Sequence, residues 1–148
     1  MAQKMDVRCE VTVREFIRAW RRAFKKCNPR FKIRGYKLKT NSLRYQCFNE
    51  LSACVNCGIK GSHVNIELAM DTGQTRPHAN MYAYNECGHP ILLTKDHIVP
   101  KSEGGSDLMS NLITMCSKCN QLKSSNKISK ALMRKINKIK ERSRKCSR

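Results

Sequence analysis

The sequence predicts an α+β chain. Its expected centre is a small strand–loop–strand–helix core, fixed by a four-cysteine zinc site and flanked by a basic helix on each side. Three observations carry this. Leu92, Leu93, Ile98 and Val99 surround the pair Asp96-His97, which puts the pair on or at the end of a strand. Two Cys-x-x-Cys pairs, Cys54/Cys57 and Cys116/Cys119, stand at metal-ligand spacing. Apolar residues recur at helical spacing between residues 12 and 26 and again after Asn126, with Lys and Arg covering the remaining faces.

Thr12 to Lys26 is the first predicted helix, with Thr12 and Glu15 in a capping-box pattern. Val13, Phe16, Ile17, Trp20 and Phe24 form its core face. Asn28-Pro29 ends it. Residues 30–40, RFKIRGYKLKT, alternate basic with apolar residues, as expected of a basic strand or arm with Phe31, Ile33 and Tyr36 inward. Ser42 to Leu51 is predicted as a second helix leading into the first knuckle, Cys54-Val55-Asn56-Cys57, with Gly58 permitting the tight turn. Residues 59–94 are expected to be a long insertion containing one hairpin, Met81–Tyr84 with Ile91–Thr94. His63, His78 and His89 follow no ligand spacing and are taken as structural or surface residues.

The core follows. Pro100 and Gly104-Gly105 end the strand that carries Asp96-His97. Leu112, Ile113 and Met115 make a second short strand, and Cys119 to Lys123 open a helix. Ile128, Leu132, Ile136 and Ile139 define a last helix, whose end, ERSRKCSR, is expected to fray. The expected divisions are a basic helix and arm over residues 1–41, the site-bearing domain over 42–127 and a basic tail over 128–148.

The 148 residues carry 30 Lys and Arg against 11 Asp and Glu, a net charge of +19. Residues 1–50 are at +10, 51–94 at −1 and 95–148 at +10. Two strongly basic ends about a neutral middle suit a polyanion, most simply nucleic acid. No basic amphipathic stretch accompanies a lipidation motif and no apolar run reaches transmembrane length, so no membrane partner is expected. The N-terminal residues contain no signal-peptide core, and the expectation is a cytoplasmic protein of a bacterial or phage-infected cell. Nine cysteines with two Cys-x-x-Cys pairs argue for metal rather than disulfides.

Asp96, His97, Ile98, Pro100, Ser102, Gly104, Gly105, Asn111, Leu112, Cys116, Cys119, Asn120 and Lys123 together closely resemble the HNH endonuclease family. With Cys54 and Cys57 the resemblance covers roughly residues 42–127, and it is nearest to phage-type members with two zinc knuckles, freestanding homing endonucleases included. The resemblance implies a ββα-metal, or His-Me finger, core and hydrolysis of DNA. It implies that His97 activates water, that Asp96 and Asn120 hold a divalent ion, that Asn111 fixes the imidazole, and that products carry 5′-phosphate and 3′-hydroxyl ends. Asn120 stands where the family name would place a His.

The residue chemistry agrees with two kinds of metal site. Four thiolates from Cys54, Cys57, Cys116 and Cys119 make a closed tetrahedral zinc site with no position left for water, hence a structural one. Closing the 58 residues between Cys57 and Cys116 costs about 1 kcal/mol more than a usual ribbon gap. Zinc contributes on the order of 10 kcal/mol, so the metal prevails. A carboxylate from Asp96 and an amide oxygen from Asn120 instead suit Mg²⁺ or Mn²⁺. His97 would leave the strand on the opposite face from Asp96 unless a twist or bulge intervenes.

Duplex DNA is the expected partner, touched by Arg14, Arg18, Arg21, Arg22 and Lys25 on the first helix and by Lys123, Lys130 and Arg134 further on. An RNA target stays open, because backbone charge alone does not separate the two. The alternative function is a zinc-stabilised DNA-binding module without cleavage. A zinc nucleobase deaminase is excluded: Ala53 and Met115, not Pro, precede the cysteine pairs, and no His is followed by x-Glu.

Overall fold

The computed structural model describes residues 5–69, 76–123 and 128–146. The domain boundary expected at residue 127 lies outside them. The chain runs through β1 (Met5–Thr12), α1 (Val13–Lys25), β2 (Arg30–Ile33), β3 (Tyr36–Lys39), α2 (Leu43–Glu50), β4 (His63–Ala69), β5 (His78–Tyr84), β6 (Pro90–His97), β7 (Leu112–Cys116), α3 (Ser117–Lys123) and α4 (Lys130–Cys146). Strands β1, β4, β5, β6 and β7 form an antiparallel sheet in the order β1-β4-β5-β6-β7, while β2 and β3 pair separately. Among the described residues no helix is long and apolar enough to cross a membrane.

The first helix starts as its sequence dictates. Thr12 Oγ1 accepts from the Glu15 backbone N–H at 3.1 Å. Only half of the capping box forms, because the Glu15 carboxylate turns away to a two-bonded ion pair with Arg34. Phe16 and Trp20 are buried, and the Trp20 indole N–H donates to the Thr40 carbonyl at 2.8 Å. Phe24 is exposed but stacks on Trp20 with centroids 4.6 Å apart. Phe16, Phe31 and Tyr45 meet edge to face, joining α1, β2 and α2 in one core.

Residues 30–40 form a two-stranded ribbon rather than a single arm. The turn Arg34-Gly35 has positive φ at both positions, which matches the strand twist of a two-residue hairpin. Phe31, Ile33 and Leu38 face the core, and Arg30, Lys32, Lys37 and Lys39 face outward.

The larger correction concerns residues 59–94. The described residues of that stretch supply β4, β5 and most of β6, the middle of the sheet rather than an insertion, and β4 joins the expected hairpin to the N-terminal strand β1. Neither β1 nor β4 was expected. The pattern of β4 is broken by buried polar residues, His63 and Glu67, which obscure period-2 alternation. Glu67 is satisfied by Asn80 Nδ2 at 2.6 Å and the Tyr82 hydroxyl at 2.8 Å, as a buried carboxylate requires. His63 is engaged within the sheet: it stacks with Tyr82 and with Tyr84 and bonds Ser62 Oγ at 2.7 Å.

The last helix, α4, runs to Cys146, and residues 147–148 of the segment expected to fray lie outside the described residues. Leu132 and Ile136 are its buried positions. Its Lys140 is inward: the ammonium pairs with Glu50 on α2 and donates to the carbonyls of Met109 and Leu112, at 2.7 and 2.5 Å for the last two. Lys140 and Glu50 side chains are 12% and 10% exposed, so removing one partner strands a buried charge. Lys140→Met should therefore lower unfolding free energy by about 3–5 kcal/mol. Adding Glu50→Gln should restore part of it, and urea midpoints of the two variants decide the point.

Candidate functional site

β6 carries the site. Asp96 lies opposite Ile113 and His97 opposite Leu112, with no register shift there, so the bulge considered from the sequence is not present. Alternation puts Thr94 and Asp96 on the face that meets α3, and Lys95 and His97 on the other. On α3, Asn120 Nδ2 donates to Thr94 Oγ1 at 3.3 Å. Lys123, one turn on, sets its ammonium 2.5 Å from Asp96 Oδ2 and also donates to the His97 carbonyl. Asp96 and Asn120 are thus held on adjoining strand and helix positions. Asp96 Oδ1 and Asn120 Oδ1 have no hydrogen-bond partner among the described residues. One carboxylate and one amide oxygen, both hard, fit a divalent ion of the magnesium type.

His97 is oriented by a residue the sequence did not point out. Its Nε2 lies 2.7 Å from Asp107 Oδ1, and Lys101 pairs with Asp107 Oδ2 at 2.8 Å. Lys101 first and His97 second pull the Asp107 pKa down to about 2. The contact is therefore present through the neutral range and disappears only as pH falls through that value. A carboxylate only accepts, so Nε2 carries the hydrogen, and in the neutral ring that tautomer leaves the lone pair on Nδ1. Asp107 sits in a glycine-serine loop ten residues beyond His97, where no spacing rule singles out an acid.

Asn111 braces that loop. Its Oδ1 accepts from Val99 N–H at 2.8 Å, and its Nδ2 donates to the carbonyls of Val99 at 3.1 Å and Ser106 at 2.9 Å. Ile98 N–H donates to the Asn111 carbonyl at 2.8 Å. One side chain thus clamps both ends of the segment that follows His97. Gly105 makes the clamp possible: a Cβ there would stand 1.8 Å from the Val99 carbonyl oxygen and 2.9 Å from Asn111 Nδ2.

The cysteines converge. Ligand atoms of Cys54, Cys57, Cys116 and Cys119 all lie within 4.8 Å of one another, so the group can hold a zinc ion. A tetrahedron with zinc–sulfur distances of about 2.3 Å has edges of about 3.8 Å, and Cys57 Sγ and Cys116 Sγ are 3.9 Å apart. Gly58, at φ +79°, turns the first knuckle so that its N–H reaches the Cys54 carbonyl at 2.9 Å. Val55 N–H donates to the Thr114 carbonyl at 3.0 Å, which stitches the knuckle to β7. Burial pushes the Cys116 thiol up, and Cys119 and Cys54 beside it add to the effect. At Cys54 burial acts the same way, but hydrogen bonds from the backbone of Cys116, Cys57 and Asn56 outweigh it and lower the thiol. Cys54 is thus shifted down while Cys57 and Cys116 are shifted up, a conflict that a bound dication removes.

Of the basic residues expected at nucleic acid, Arg14, Arg18 and Arg22 line a shallow depression on α1, and Lys25 is exposed nearby. Arg21 is engaged with Asn49 Oδ1. Lys130 and Arg134 are exposed on α4. Lys123 is held by Asp96 inside the site.

A family model described as HNH endonuclease matches residues 85–126. The chain carries an HNH domain. That domain takes in β6, β7 and α3, with Asp96, His97, Asn111, Asn120, Cys116 and Cys119 inside it; Cys54 and Cys57 reach it from outside the match. HNH nucleases act on DNA and use a divalent metal. No curated protein and no solved structure matches the chain.

The thiol cluster makes a direct test available. Elemental analysis of the purified chain should find one tightly held zinc. Cys57→Ser or Cys116→Ser should release it and lower the melting temperature, and zinc-free protein that melts like the parent would contradict a zinc-built core.

Proposed function

We propose that the chain is a metal-dependent DNA endonuclease that leaves 5′-phosphate and 3′-hydroxyl ends. One observation carries the proposal: the unpartnered oxygens of Asp96 and Asn120 stand on one face of the end of β6, and the next residue, His97, is engaged through Nε2 by Asp107 on the other, all within the HNH match. Asp96 and Asn120 would hold Mg²⁺ or Mn²⁺, which when bound offsets the extra negative charge of phosphoryl transfer. His97 Nδ1 takes the proton from the attacking water, as a general base. Asp107 keeps Nε2 protonated and the ring in place, a positioning role. Asn111 holds the loop that presents both. The four cysteines would hold one structural zinc. Arg14, Arg18, Arg22 and Lys25 on α1, and Lys130 and Arg134 on α4, lie on exposed surfaces suited to the outer phosphates of a DNA duplex.

A second reading is a zinc-stabilised DNA-binding module that does not cut. It is favoured by the Lys123 ammonium, which already neutralises one oxygen of Asp96 with both side chains about nine-tenths buried. Nicking of supercoiled plasmid with and without Mg²⁺ separates the two. Metal-dependent nicking supports the endonuclease, and DNA binding without nicking supports the module.

In the same assay His97→Ala should lower kcat by about 10²–10⁴-fold while affinity for DNA stays near that of the parent. Asp107→Ala should lower kcat by about 10- to 100-fold with KM little changed, as loss of a group that orients a site residue does. Asp107→Glu should recover part of that loss. A kcat unmoved by His97→Ala would remove the histidine from the mechanism.

A further inference from the structure

A second feature lies on the other face of β6. A cleft of about 900 Å³ runs between the β2–β3 ribbon, the start of α2, the start of β5 and the middle of β6. Arg30, Lys37, Lys39, Arg44, Arg76 and Lys95 line it, and no acidic side chain does. Among the described residues no carboxylate pairs with any of the six. Neither α1 nor α4 contributes to it.

The arrangement opposes stability. Arg30 is directly opposite Lys39 and Lys32 opposite Lys37 in the ribbon, all on its outward face. Like charges paired across strands repel. Arg44 is held ready as well: it donates to Asn80 Oδ1, and Asn80 is anchored on buried Glu67. A cation positioned by a buried network without a charge partner of its own is prepared for an external anion. His78, also in the wall, has its pKa pushed down by burial and then by Arg44, so the field of that guanidinium reaches into the cleft.

We infer that this cleft holds the phosphodiester backbone of the DNA strand leading away from the cut site. The inference rests on the endonuclease reading for the identity of the strand, and on geometry for its path. Lys95 and His97 share one face of β6, two residues or about 7 Å apart along the strand. A backbone lying at the His97 imidazole therefore meets Lys95 next and, with it, the wall that Arg44 on α2 and Lys37, Lys39 and Arg30 on the ribbon share. A single phosphate would need only two or three of these cations. Six, five of them from β2, β3, α2 and β6 and Arg76 just before β5, suit a chain of phosphates.

The test is binding in the His97→Ala background, where no cutting intervenes, with a short DNA duplex and salt varied at fixed pH. The change R30Q/K37Q/K39Q/K95Q should reduce the log–log salt slope by about 3 to 4, at about 0.9 for each phosphate no longer neutralised. The smaller change K39Q/K95Q should reduce it by about 1.8, which keeps the test open if the fourfold variant folds poorly. Thermal melts should show the fourfold variant at least as stable as the parent, because cross-strand repulsion is relieved. An unchanged slope in both variants overturns the cleft. Tighter binding of an RNA duplex of the same sequence, or of a polyglutamate peptide of equal charge, overturns DNA as the occupant. The endonuclease reading fails separately: protein that binds through the cleft but never nicks plasmid refutes the nuclease and keeps the cleft, and protein that nicks normally with a neutralised cleft does the reverse.

Discussion

The site depends on the closure that brings Cys54 and Cys57 against Cys116 and Cys119. β7 and α3 are only five and seven residues long, too short to persist alone. Their positions are fixed because the thiol cluster sits at the junction between them and because Val55 N–H is bonded to the Thr114 carbonyl. Asn120 is the residue immediately after Cys119, so the angle at which α3 leaves the cluster is also the angle at which the Asn120 amide meets β6. Binding free energy of a metal there is at once folding free energy and site geometry.

Three supports surround β6, each bearing on a different part of the chemistry. α3 meets Thr94 and Asp96 from one face. The loop of residues 98–111 bears Asp107 and is locked by Asn111 and the absent side chain of Gly105. The third support is the basic cleft on the Lys95 side. The middle of the sheet, β4 and β5, positions that cleft through Glu67 and Asn80. α2, β4 and β5 are therefore joined to one another by a buried polar network as well as by packing.

Much of this was legible in the sequence where the determinants are local. Asp96, His97, Asn111 and Asn120 lie within 25 residues, and the cysteines announce themselves by spacing. The hairpin that runs into Asp96 was legible because Met81–Tyr84 and Ile91–Thr94 flank the turn-forming residues 85–89, and the two arms do pair. β4 escaped because buried His63 and Glu67 interrupt its apolar pattern, and their partners Tyr82 and Asn80 lie on another strand. Asp107 escaped because its function is set by where a loop folds back. The cleft could not be read either, since it needs the register of β2 with β3 and the docking of α2 beside β6 before its cations share a wall.

Lys140 has a bearing on modularity. Its ammonium holds the carbonyls of Met109 and Leu112, the two residues that flank the Asn111 turn, and it does so from the C-terminal helix. By composition that helix is a basic tail, the sort of appendage that could be exchanged to retarget a nuclease. Its single inward lysine makes it a splint for the loop beside His97. A redesigned tail would have to carry an equivalent ammonium to the same two carbonyls, or the loop would need a new brace of its own.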